Sequence, residues 1–277
     1  MVTNLLDRTN AEFWNELCGS TLARALRIAE PSPENLRRFD EAYLQKYPYL
    51  EHYIATDGLR GKRVLEIGLG YGTLGQLLAG TGCRYHGLDI AMNPVALMRF
   101  RLSSLGQDAA GRIQVGSALV IPYRNATFDY VYSIGCLHHT GDVEKAVSEV
   151  HRVLVPGGTA VVMLYNRHSL RRLWSVAALR IHECLRNGGS TGGITGDSPA
   201  IRALYDTNAQ GEAAPHTDFI SRAQARRLFR NFRTVHIDSQ NFDRVVCVSG
   251  RLVVPRTCLL NNLARLAGLD LYITASK

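Results

Sequence analysis

The stretch Val64 to Gly75, VLEIGLGYGTLG, carries two overlapping glycine patterns that ask for ligands of opposite charge. Read from Gly70 it is G-x-G-x-x-G, the turn that lays a pyrophosphate on a helix N-terminus. Asp89 then stands 19 residues further on, near the place of a ribose-binding acid. Read from Glu66 it is E-x-G-x-G-x-G, with a carboxylate beside the loop. Both readings share one design: a strand ends, glycines let the backbone turn tightly and approach a ligand, and a helix begins. The carboxylate separates them, because a diphosphate needs the bare amides of that terminus whereas an ammonium group tolerates an acid there.

Around this turn the chain divides into three zones. Residues 1–55 read as a helical cap, with Phe13, Trp14 and Leu17 on one face and a second helix opening at Ser32-Pro33-Glu34, a capping serine followed by an N1 proline. Tyr43, Tyr47, Tyr49 and Tyr53 make this zone aromatic. Residues 56–277 read as one α/β domain, since short apolar runs alternate with helical segments as in a parallel sheet covered on both faces. The expected strands are Arg63–Ile67, Tyr85–Leu88, Ile113–Gly116, Tyr130–Ile134, Ala160–Leu164, Thr234–Ser239 and Leu271–Ala275. Between the fifth and sixth lies an insert, about 168–216. It holds an amphipathic helix from His168 to Arg186 and a glycine-rich run, Asn187 to Pro199, which reads either as a functional lid or as a disordered segment.

At 277 residues the chain can bury a substantial core. It has no run of about 18 apolar residues, and its first residues lack a basic segment followed by an apolar one, so a cytoplasmic location is expected. The six cysteines (18, 83, 136, 184, 247 and 258) are scattered, which favours neither a disulfide framework nor a metal site. Charge is uneven: residues 1–150 carry 15 Lys and Arg against 16 Asp and Glu, and residues 151–277 carry 17 against 8. A basic second half suits an anionic substrate or surface, or simply a solvated face.

Further motifs decide the cofactor. After Ile113-Gln-Val-Gly-Ser117 come Ile121-Pro-Tyr, then Phe128-Asp-Tyr-Val, then Cys136-Leu-His138-His139-Thr140, then Arg152-Val-Leu-Val-Pro-Gly-Gly158. With the glycine turn, these motifs in this order closely resemble the class I S-adenosylmethionine-dependent methyltransferases, in the small-molecule subgroup built around the methyltransferase type 11 pattern. The resemblance covers residues 60–165 motif by motif and the C-terminal strands more loosely. It implies a Rossmann-like, doubly wound α/β sheet of seven strands with the last one antiparallel. The implied cofactor is S-adenosyl-L-methionine, leaving as S-adenosyl-L-homocysteine, and a nicotinamide coenzyme is disfavoured.

Residue by residue, the resemblance places Gly68, Gly70 and Gly72 under the methionine part and ribose, with Tyr71 and Gly135 in contact with ligand. Glu66 would hold the ammonium, Asp89 both ribose hydroxyls, and Ile90 would pack on adenine. One position departs from the pattern: the usual Gly-Asp-Ala after the third strand is here Gly116-Ser117-Ala118, so the adenine amino group is left to the Ser117 hydroxyl and the Ala118 amide.

Methyl transfer needs positioning more than a fixed catalytic motif, though an acceptor of high pKa gains from a base. The candidates are His138 and His139, at the carboxyl edge of the sheet, and His216, with Asp218 two residues on. Arg167 and His168 are candidates for meeting an anionic acceptor. The resemblance implies biosynthetic methylation of a small molecule, most often at oxygen. Two rivals remain: a membrane-associated lipid or quinone acceptor, prompted by the basic amphipathic helix, and RNA or DNA, prompted by the pI of about 9.3. Neither an Asp/Asn-Pro-Pro-Tyr tetrapeptide nor a Pro-Cys nucleophile is present, which weighs against nucleic acid.

Overall fold

In the computed structural model, residues 5–16, 20–54, 56–186, 198–242, 245–247, 252–260 and 262–277 are described. Seven strands form one sheet: β1 (Arg63–Ile67), β2 (Arg84–Asp89), β3 (Ile113–Val115), β4 (Phe128–Ile134), β5 (Leu154–Tyr165), β6 (Thr234–Gln240) and β9 (Asp270–Ser276). Their order is β3-β2-β1-β4-β5-β9-β6, with the first five parallel and β9 antiparallel to both its neighbours. The doubly wound sheet with an antiparallel last strand, expected from the motifs, is the sheet observed. Strand order reverses between β1 and β4, so the crevice at their carboxyl ends is where such a sheet binds ligands.

Local chemistry explains most elements. β1 reads Val-Leu-Glu-Ile after its first residue and is buried on both faces, as a central parallel strand must be. Helix α3 (Pro33–Lys46) begins as expected, the Ser32 side chain accepting from Asn35 N at 3.1 Å with Pro33 in the first turn. Helix α6 (Val143–Val153) is capped by Asp142 and buries Val143, Ala146, Val147, Val150 and Val153, spaced to lie along one stripe. The Pro156-Gly-Gly158 motif proves to be a register shift between β4 and β5. A Cβ on Gly158 would stand 2.9 Å from Val155 O and 3.0 Å from Asp129 O, so only glycine fits.

One feature escaped the sequence reading. A two-stranded antiparallel pair, β7 (Val245–Cys247) and β8 (Leu252–Val254), stands apart from the main sheet. The insert contributes α7 (Leu170–Arg186), the amphipathic helix expected there, and the short α8 (Pro199–Ala203), whereas most of the glycine-rich run, 187–197, lies outside the described residues.

The N-terminal helices α1 (Leu5–Trp14) and α3 lie over the crevice, with the short α2 (Ser20–Ala25) between them in the chain. What fastens α3 is Arg101, only 2% exposed, on helix α5 (Met92–Ser104). Its guanidinium donates to both carboxylate oxygens of Asp40 on α3, at 2.8 and 2.9 Å, and its Nε to Tyr71 O in the glycine loop at 2.7 Å. Thr73 Oγ1 completes the knot with a 2.6 Å bond to Asp40. Stranding a buried charge by removing its partner costs about 3–5 kcal/mol. Asp40→Ala should therefore lose stability on that scale in urea unfolding, and the apolar double variant Asp40→Leu/Arg101→Met much less. A loss below about 1 kcal/mol for the single variant would show that the pair does not hold the cap.

Candidate active site

The crevice is walled by the ends of three strands. After β1, Gly68, Gly70 and Gly72 all take positive φ (84°, 50° and 77°), and Gly72 is the left-handed N-cap of helix α4 (Thr73–Gly80). A Cβ on Gly68 would lie 2.4 Å from that of Cys136, so the loop closes against the turn after β4. Gly75 serves packing instead. A Cβ there would stand 2.5 Å from the Tyr85 hydroxyl and 2.7 Å from Glu66 Oε2, so α4 packs directly on a buried polar pair.

That pair sets the electrostatics. Glu66 is buried and its Oε2 accepts a short bond from the Tyr85 hydroxyl. Burial pushes its pKa up to about 8, with the Tyr85 hydrogen bond pulling down and the Asp89 charge pushing up. Asp89, at the end of β2, is also buried; Oδ2 accepts from Leu69 N at 2.7 Å and Oδ1 from Ala91 N at 2.9 Å. Burial raises it to about 6, against the backbone amides. Both carboxyls face the crevice, together with Gly68, Gly70, Tyr71, Gly72, Ile90, Ser117, Ala118 and Gly135. All ten residues assigned to cofactor from the sequence thus share one wall. Tyr71 also stacks on Phe39, with centroids 4.2 Å apart. The Ser117 hydroxyl already accepts from Leu119 N at 3.2 Å, and a second lone pair remains on that oxygen.

The three histidines part company. His138 is fully buried, lines neither the crevice nor the cavity next to it, and packs on Tyr165, so the sequence assignment of it as a base does not suit its place. His216 pairs with Asp218 at 3.0 Å and lines neither space; its role here is its carbonyl, 2.7 Å from His139 Nδ1. His139 does face the crevice and lies under Trp14, with ring centroids 4.7 Å apart. Arg167 and His168, expected near an anionic acceptor, are absent from both linings; Arg167 donates to Phe219 O at 2.9 Å, holding the chain after β5 in place.

Beyond Ile134 and Gly135, which it shares with the crevice, lies a second cavity of about 470 Å³. Its wall includes Tyr205 and Asp206 from the insert and Asp270 and Tyr272 from β9, none of which the sequence singled out. No local motif marks them, since the wall is assembled from segments more than 60 residues apart.

Residues 65–162 match the family described as a methyltransferase domain. That part of the chain is similar to methyltransferase domains in sequence, the seven-stranded sheet around it has the fold of solved S-adenosylmethionine-dependent methyltransferases, and the similarity implies S-adenosylmethionine as cofactor. Two curated relatives illustrate the similarity. Phosphoethanolamine N-methyltransferase 2 of Caenorhabditis elegans is 32% identical over 108 residues, 39% of this chain and 24% of the relative. The ubiquinone biosynthesis O-methyltransferase of Pseudomonas aeruginosa is 29% identical over 130 residues, 43% of this chain and 51% of the relative. The chain thus spans a quarter to a half of the length of these relatives. A solved S-adenosylmethionine-dependent methyltransferase from Methanosarcina mazei shares the fold at a TM-score of 0.52 and 16% identity, over 83% of this chain and 97% of that one.

The chain fits that cofactor in charge and shape. Two buried carboxyls beside a glycine cradle suit an ammonium and a ribose diol and oppose a diphosphate. The Glu66 pKa also has a consequence for folding. A carboxyl that ionises near 4.5 unfolded and near 8 folded leaves the folded state holding the extra proton between those values. Glu66 therefore makes stability fall as pH rises from about 5 to about 8. Melting temperatures from pH 5 to 9 should decline less steeply in Glu66→Gln than in the parent; parallel curves would contradict the buried, neutral Glu66.

Proposed function

We propose that the protein transfers a methyl group from S-adenosylmethionine to a small-molecule acceptor. The observation that carries this reading is the pairing of two spaces: a crevice with Glu66 and Asp89 in its wall opens past Gly135 toward a second, aromatic cavity. In this reading Gly68, Gly70 and Gly72 cradle the methionine part, Glu66 takes the ammonium, and Asp89 accepts from the ribose hydroxyls. Ile90, Ser117 and Ala118 bound the adenine. When bound, S-adenosylmethionine supplies a methyl on a cationic sulfur, a leaving group that needs no acid.

What the chain itself must do is align acceptor and methyl and keep water out, which can contribute about 7–11 kcal/mol. Helices α1 and α3 roof the crevice for this purpose, with Trp14 and Tyr43 reaching both spaces. On this reading residues 1–55 cap the domain formed by 56–277, and the insert of about 168–216 furnishes part of the acceptor wall through Tyr205 and Asp206. Oxygen is the attacked atom the resemblance suggests. The relatives named above are an N- and an O-methyltransferase, so the choice of atom lies with the cavity wall. An anionic acceptor would face Asp206 and Asp270 there.

Charge-assisted hydrogen bonds are worth about 1.5–3 kcal/mol each. Asp89→Ala should accordingly weaken S-adenosylmethionine binding roughly ten- to a thousandfold by equilibrium titration, with the fold unchanged by circular dichroism. An unchanged affinity would remove Asp89 from the site.

A second reading, an acceptor collected from a membrane, is favoured by one observation. Along α7 an apolar stripe faces solvent, with Trp174 75% and Leu185 80% exposed, beside Arg171 and Arg180. Among the described residues no helix is long and apolar enough to cross a membrane. On this reading the protein co-sediments with vesicles containing phosphatidylserine, and Trp174→Ser with Leu185→Ser releases it. Failure of the parent to sediment would discard the reading.

A further inference from the structure

The second cavity holds an arrangement that the cofactor chemistry does not use. Asp206 Oδ2 lines it, accepts from the Tyr165 hydroxyl at 3.0 Å, and stands 3.7 Å from His139 Nε2. The other nitrogen of His139 lies 2.7 Å from a carbonyl oxygen, which can only accept. Nδ1 therefore carries the ring proton and Nε2 presents a lone pair. That lone pair is buried and has no hydrogen-bond partner. A carboxylate and an imidazole lone pair thus face one another in a largely buried wall, an arrangement relieved by one additional proton. Burial raises the Asp206 pKa and lowers that of His139, so the proton the two lack is one they can share.

The remainder of the wall has a consistent character. Rings come from four parts of the fold: Trp14 from α1, Tyr43 from α3, Tyr165 from β5 and Tyr272 from β9. Asp270 adds a second carboxylate, with Oδ2 accepting from Asn241 at 2.9 Å. Of the other charged groups there, Glu16 is paired with Arg24 at 3.6 Å, and Lys46 lies over the Tyr47 ring at 5.4 Å. Aromatic faces with carboxylates between them attract organic cations and repel anions.

We infer that this cavity takes a protonated amine carried on an aromatic or otherwise apolar body, with Asp206 receiving its proton and His139 positioned behind Asp206 to hold it. The inference rests on the methyl-transfer reading above and narrows its acceptor. One N–H bond of R–NH3⁺ breaks, the proton passes to the Asp206 carboxylate, and the electron pair stays on nitrogen. That pair forms the new N–C bond as the methyl–sulfur bond breaks, its electrons staying on sulfur. The products are R–NH2–CH3⁺, the thioether and one proton, which leaves to water.

The test uses the full-length protein saturated with S-adenosylhomocysteine and three ligand series on phenyl, naphthyl and indolyl skeletons, each as the ethylamine, the matching alcohol and the matching carboxylate. Calorimetry should give at least one amine binding tenfold or more tighter than its own alcohol and acid. Asp206→Asn should erase that preference while binding S-adenosylhomocysteine as the parent does. His139→Gln should leave amine affinity within about threefold but cut the turnover of a bound amine tenfold or more, with the loss greatest below neutral pH. A preference for alcohol or carboxylate, or no amine bound above its alcohol, overturns the inference. So does Asp206→Asn retaining the preference, or His139→Gln lowering affinity and turnover alike. Failure of the parent to bind S-adenosylhomocysteine would instead strike at the cofactor reading, so the two failures are told apart.

Discussion

Two carboxyl groups buried beside the same glycine loop constrain the rest of this structure. Glu66 and Asp89 lie at the ends of adjacent parallel strands, each almost wholly removed from water, and the Asp89 charge adds to the demand of Glu66 for a cation or a proton. Folding alone gives little reason to bring them together, because an isolated buried carboxylate is costly unless it is paired or protonated. The Tyr85 hydroxyl and the backbone amides of Leu69 and Ala91 meet part of that demand. On the proposed reading, a ligand with an ammonium and a ribose diol meets the remainder. The loop's positive φ angles, the missing side chain at Gly75 and the grip of Arg101 on Tyr71 O all hold the backbone in the one course that keeps both acids facing the crevice.

The N-terminal helices belong to the same mechanical unit. Asp40 ties α3 to Arg101, Phe39 stacks on Tyr71, and Asn10 of α1 donates to His139 O at 2.8 Å. The roof of the crevice is thus bonded to the loop beneath it and to the turn after β4. Movement of the roof and order in the glycine loop are coupled through a few buried polar contacts, a sound arrangement for a reaction that depends on alignment and exclusion of water.

The parts legible in the sequence were those in which a short segment states its own chemistry. Apolar runs located all seven main strands, six of them to within two residues at each end while β5 begins six residues before the expected Ala160; Ser32-Pro33 announced a helix start, and the motifs around Glu66, Asp89 and Ser117 led to one wall. The misread parts depend on distant partners. Nothing near Arg101 says that it will meet an aspartate 61 positions away, and nothing in the insert marks Asp206 as a neighbour of His139. His138 and His139 are adjacent and identical in type, yet the turn after β4 sends one into the core and the other to the crevice. Arginines after β5 looked available for an anion, but Arg167 is spent on a backbone carbonyl.

The paired carboxyls are tested most directly by calorimetric titration of the ligand-free protein with S-adenosylmethionine near pH 7, in two buffers of unlike ionisation enthalpy. Saturable one-site binding is expected, with release of up to one proton that is lost in Glu66→Gln, and no heat from NAD. Saturation by NAD with no response to S-adenosylmethionine would contradict the role given to Glu66 and Asp89.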